Sequence, residues 1–136
     1  MPCPYFQPQR VATAARHASA RLPLFEEYDG LCHATGTPLA APADLRFQYC
    51  NHGYSRGACD RFPGAEVRSG IRYDVVRRTP VALEILCVEE QNYAPLTWHS
   101  MQYFFEGERI EPKLTDECVR AQLLAFCRSY LKRFSS

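Results

Sequence analysis

Hydrophobic and polar positions change their rhythm near the middle of the chain, and the second half carries the clearer pattern. Ile71, Tyr73 and Val75 alternate with Arg72, Asp74 and Val76, the two-residue period of a strand with one buried face. Thr79-Pro80 supplies a turn, and residues 81–89 then place Val81, Leu83, Ile85 and Cys87 on one face of a second strand. After a turn over residues 92–95, residues 97–106 form a third. Short connections between successive strands predict an antiparallel meander. Glu106-Gly107-Glu108 ends it, and Pro112 blocks its extension. From Thr115 the period lengthens. Val119, Leu123, Phe126, Tyr130 and Phe134 recur at spacings of four, three, four and four, the stripe of an amphipathic helix lying across one sheet face. Thr115, Asp116 and Glu117 give its start the right capping and dipole chemistry.

The first half has no such rhythm. Three prolines in the first eight residues exclude a helix or a central strand and predict an extended arm carrying Cys3. Residues 9–22, rich in alanine and arginine and closed by Pro23, predict one short helix. Residues 26–30 read as a turn delivering Cys32, and Gly36, Thr37, Pro38 and Pro42 as a loop. Asp44 is placed to cap a brief helical turn over residues 45–49 that presents Cys50. The expected fold is therefore α+β: an irregular cysteine-rich N-terminal half with one short helix, then a three-stranded antiparallel meander packed on a C-terminal helix. It reads as a single domain over residues 1–136, with a metal-binding lobe at 1–63 and a meander-plus-helix lobe at 64–136.

A chain of 136 residues is long enough to bury a core without crosslinks, so a metal would be added to a foldable protein. A formal net charge of +1 provides no basic field for nucleic acid. No apolar run approaches the roughly 20 residues that span a bilayer, and no charged segment followed by an apolar one marks a leader. The expectation is a soluble, cytoplasmic protein without a nucleic-acid or membrane partner. Seven cysteines cannot all pair within one chain, and in a reducing compartment thiols point to metal or reactive chemistry before disulfides.

Four of those thiols, Cys3, Cys32, Cys50 and Cys59, fall in the first half, separated by 28, 17 and eight residues. The last two frame Asn51-His52-Gly53-Tyr54-Ser55-Arg56-Gly57-Ala58, in which Gly53 and Gly57 free the backbone to turn amides towards sulfur. Structural zinc favours close cysteine pairs; dispersed cysteines converging from loops suit a 4Fe-4S cubane, each iron of which takes one thiolate. Four thiolates leave the centre negative, for which Arg56, Arg61 or Arg46 supplies a counter-charge. His33 and His52 sit beside proposed ligands, as outer partners or as a substitute for one cysteine. The favoured function is an iron-sulfur protein for electron transfer, redox sensing or structural support, acting with a protein or redox partner and not as an enzyme. The alternative is a zinc-structured interaction module. Thiol enzymology through Cys59 or Cys118 is a third class, for which the sequence offers no spacing-coded Cys/His pair. Cys87, within Ile85-Leu86-Cys87-Val88, and Cys127, beside Phe126, read as small core hydrophobes. Glu89 and Glu90 read as a solvated strand end.

The order Cys3-Pro4-Tyr5-Phe6, Cys32, Tyr49-Cys50 and Cys59-x-x-Phe62 resembles small four-cysteine domains of uncharacterised bacterial proteins, over residues 3–62. Cys50-Asn51-His52-Gly53-Tyr54, with Arg61-Phe62-Pro63 and Val67-Arg68, resembles a family of short uncharacterised proteins of acidobacterial type, over most of the chain. Gln7 and Asp60 depart from the wider pattern without touching a proposed ligand. Neither resemblance implies an activity.

Overall fold

In a computed structural model, residues 2–12, 22–34, 37–42, 46–51, 70–91 and 94–134 are described. Strands form where the second half alternates, but the sheet they build is not the expected one. Strands β4 (Gly70–Arg78), β5 (Ala82–Gln91) and β6 (Ala94–Phe104) pair antiparallel in sequence order. Their inward face buries Tyr73, Leu83, Ile85, Cys87, Met101 and Tyr103. The Thr79 hydroxyl accepts from the amides of Val81 (3.3 Å) and Ala82 (3.0 Å), fixing the β4–β5 turn. Val81 therefore belongs to that turn, 62 % exposed, and not to the buried face of the strand.

The meander has four strands where three were expected. Gly107, at φ 72°, lets the chain reverse through a short 3-10 turn at Glu106–Glu108. Strand β7 (Arg109–Glu111) then pairs with β6, Tyr103 opposite Ile110, and stops at Pro112.

The opening half departs further from expectation, and the fold is mostly β. Strands β1 (Phe6–Val11), β2 (Tyr28–Cys32) and β3 (Leu39–Ala40) form a second antiparallel sheet with β2 in the middle. Cys3-Pro4-Tyr5-Phe6 is a β-turn closed by Phe6 N–H donating to Cys3 C=O at 3.0 Å, with proline at the second position that its fixed φ suits. Pro8 is tolerated because β1 is an edge strand and its register shifts between Pro8 and Arg10. Strand β1 occupies the start of the span expected to be helical; residues 13–21 lie outside the described residues. The expected helical turn before Cys50 exists as a single wide, π-type turn, Arg46–Asn51.

Helix α1 (Glu117–Arg133) is capped by Asp116, whose carboxylate accepts from the amides of Cys118 (2.9 Å) and Val119 (3.1 Å). It does not lie on one sheet alone. Cys118, Gln122, Leu123, Ala125, Phe126, Cys127 and Ser129 are buried, covering about 200° of its circumference at roughly 100° per residue. One side meets the three-stranded sheet, where Tyr28 Oη donates to Ala125 C=O at 3.0 Å. The other meets the four-stranded sheet, where the rings of Tyr73 and Phe126 are 5.6 Å apart. One core cluster joins Cys3, Tyr5, Phe6, Leu24, Tyr28 and Cys50 to Leu83, Ile85, Leu123 and Phe126. No helix among the described residues is long and apolar enough to cross a membrane.

Candidate functional site

Cys3, Cys32 and Cys50 are all buried, at 8, 7 and 7 % exposure. Their main chains meet at one corner of the three-stranded sheet. Cys3 N–H donates to Cys50 C=O at 3.0 Å. Cys32 ends β2 directly opposite Phe6, whose amide closes the turn that begins at Cys3. Among the described residues no three Cys, His, Asp or Glu side chains stand close enough to enclose a single metal ion. The fourth proposed ligand, Cys59, lies outside the described residues, as do His52, Arg56 and Arg61.

His33 follows Cys32, and its Nε2 is 2.7 Å from Gln7 Oε1, so this ring nitrogen already has a protein partner. Arg46 is likewise committed elsewhere. Its Nε donates to Glu27 Oε2 at 2.7 Å, and its Nη1 bonds the Asp29 carboxylate. A guanidinium so engaged is an ion-pair partner of β2 and its approach, not the counter-charge of a thiolate centre. Glu27 is buried at 6 % exposure, and its second oxygen, Oε1, has no hydrogen-bond partner among the described residues.

Two buried amides build the corner, and sequence reasoning singled out neither for that role. Asn51, fully buried, offers Oδ1 to Tyr28 N–H (2.7 Å) and donates from Nδ2 to Tyr28 C=O (3.0 Å) and Arg46 C=O (2.9 Å). It pairs with Tyr28 as a strand residue would, and so ties the Cys50 turn to β2. Gln122, 2 % exposed on α1, donates from Nε2 to Cys3 C=O and Phe6 C=O, both at 2.8 Å, and accepts from Tyr73 Oη at 3.0 Å. The signal for Gln122 was a polar residue inside the buried arc of a helix, visible only once both sides of that helix are known to be covered.

Cys87 and Cys127 are buried at 6 and 0 % exposure. Burial pushes the Cys87 thiol up to about 12 and raises the Cys127 thiol as well, so both stay protonated at neutral pH. Strand pairing does set Cys87 opposite His99, whose Nε2 is 3.9 Å from Glu89, beside a cavity of about 440 Å³. A thiol–imidazole–carboxylate row of this kind needs a thiolate to act as a nucleophile, and the raised Cys87 thiol opposes that. Glu90 is buried beside Arg72 Nη1 at 3.6 Å, so only Glu89 fits the expected solvated strand end. A groove of about 1100 Å³ lies against β6, β7 and the start of α1, lined by residues that include Glu84, Gln102, Arg109, Lys113 and Arg120. Comparison of the chain with protein-family models, curated proteins and solved structures gives no match.

Proposed function

We propose that the chain is a thiolate metal protein in which Cys3, Cys32, Cys50 and Cys59 hold a 4Fe-4S cluster for one-electron transfer or redox sensing with a protein partner in a reducing cytoplasm. The observation that supports this reading is the bond from Cys3 N–H to Cys50 C=O. Residues far apart in the chain are joined at the main chain where each carries a buried sulfur, and the strand ending in Cys32 is paired to the same arm. Dispersed soft ligands in a water-poor setting suit iron-sulfur chemistry. A cluster there would supply the redox step; the chain itself holds the sulfurs, shields them and sets their spacing.

Anaerobic purification followed by iron and acid-labile sulfide analysis tests the reading. Equal iron and sulfide with broad visible absorption, lost on changing Cys50 and Cys59 to alanine, is the expected result. A colourless protein that takes up neither iron nor zinc after reconstitution would sink it. Stoichiometric zinc would instead favour an interaction module, for which Trp98 and Leu96, 69 and 60 % exposed on β6, offer a contact surface.

A further inference from the structure

We propose that Gln122 is the positioning residue of the cysteine corner, clamping Cys3 into place relative to Cys32 and Cys50; the inference rests on the metal reading above for its purpose, and on hydrogen-bond geometry for its existence. The Cys3–Phe6 turn has two ends, and the Gln122 carboxamide grips both. Its Nε2 donates to Cys3 C=O and to Phe6 C=O at 2.8 Å each. Both partners are carbonyl oxygens, which can only accept, so the amide orientation is fixed by chemistry. That leaves Oε1 facing Tyr73 Oη, 3.0 Å away, which donates to it.

The consequence for the thiols follows from the register. Phe6 stands opposite Cys32 in the β1–β2 ladder, and Cys3 N–H bonds Cys50 C=O. Holding the two carbonyls of one turn therefore fixes Cys3 against both other cysteines. The grip is delivered from α1, 119 residues along the chain from Cys3, and Tyr73 anchors it to the four-stranded sheet. Gln122 is 2 % exposed, so water cannot replace a lost donor without opening the core.

Hydrogen exchange on the metal-free full-length protein, read at the Cys3 and Phe6 amides, separates the clamp from its purpose. Gln122→Glu keeps the shape but leaves at most one donor, the O–H of a neutral carboxyl, for two carbonyls; Gln122→Met removes all polarity; Tyr73→Phe leaves both grips on the turn. Exchange at Cys3 and Phe6 is expected to accelerate about tenfold or more in both Gln122 variants, with α1 and β5 still protected, and to change little in Tyr73→Phe. In reconstituted protein, Gln122→Glu should also shift the thiolate-to-metal absorption per bound metal, which a general loss of stability would not do. Wild-type exchange at Cys3 and Phe6 in both Gln122 variants would overturn the clamp. Should Gln122→Glu fail to fold, Gln122→Met decides by the same exchange measurement. A wild-type protein that binds no metal removes the metal reading alone, since the exchange result stands without it.

Discussion

Glu108 shows how much a single exposed side chain is worth here. It accepts a two-pronged bond from Arg128, Nε at 2.7 Å and Nη2 at 2.6 Å, and a further bond from Tyr103 Oη at 2.9 Å. The Arg128 bond, against a smaller opposing burial cost, holds the Glu108 carboxyl down at about 2. A carboxyl depressed on folding stabilises above its unfolded value near 4.3, and that contribution is lost as pH falls from there towards 2. Because Glu108 is 41 % exposed, solvent screening limits the effect to below about 1 kcal/mol. Urea midpoints of Glu108→Gln and wild type should converge between pH 4.5 and 2; a gap that is unchanged at pH 2 would contradict the assignment. Gly30 is a sharper case. A Cβ there would overlap the Gln7 carbonyl oxygen and lie 2.8 Å from its carbon, so Gly30→Ala must push β1 off β2. Loss of amide protection along β1 with α1 intact is the expected signature.

At the scale of elements, α1 is the piece on which both sheets depend. Phe126, 3 % exposed, touches Phe25 at 5.3 Å and Tyr73 at 5.6 Å between ring centres, and so bridges the two halves of the molecule. Phe126→Ala should cost about 3–5 kcal/mol, whereas Asp116→Ala, which removes only the cap, should cost about 1 kcal/mol; denaturant titration of each checks the contrast. How legible these elements were depended on how much of each residue's environment was local. The strands from Gly70 to Phe104 could be read because one side is buried and the sequence alternates. Strand β7 could not, since Arg109-Ile110-Glu111 is too short to show a period. The strand at Phe6–Val11 was hidden by Pro4 and Pro8, which the turn and the edge position accommodate. For α1 the apolar stripe was visible, but Gln122 and Ser129 in the same buried arc were not, because Cys3, Phe6, Glu26 and Tyr28, which they bond, lie in the other half of the chain. At the candidate site the thiols announced themselves by type, while the amides that set Cys3 and Cys50 have no local signature. Arg46, one of three arginines offered as a counter-charge, has partners that were hidden for the same reason: Glu27 and Asp29 bond it from 19 and 17 residues away.

For the molecule as a whole, the sequence suggested an opening half shaped around a metal site, and the structure gives that half another source of order. Tyr5, Phe6, Leu24 and Tyr28 belong to the same buried cluster as Leu123 and Phe126. Tyr28 also reaches α1 through Ala125 and Ser129, and Glu26 bonds Ser129 Oγ at 2.8 Å and Lys132 Nζ at 2.9 Å. These contacts need no metal, so removing one should loosen the corner without unfolding the sheet. The measurement is thermal unfolding and hydrogen exchange of Cys50→Ala/Cys59→Ala against wild type, alanine being chosen because serine would place a hydroxyl at a site only 7 % exposed, at about 1–3 kcal/mol if unpaired. A single cooperative transition is expected in both proteins, with β1 and β2 amides protected in each and faster exchange in the double variant confined to Cys3 and the Arg46–Asn51 turn. Two separate transitions, or free exchange along β1 and β2 while β4 to β6 stay protected, would mean that the metal organises the opening half after all. The division falls where the hydrogen bonds do. Asn51 and Gln122 hold the corner from within the core, so binding a metal there would draw on a frame already set by packing, and its affinity would respond to changes in α1 as readily as to changes beside the thiols.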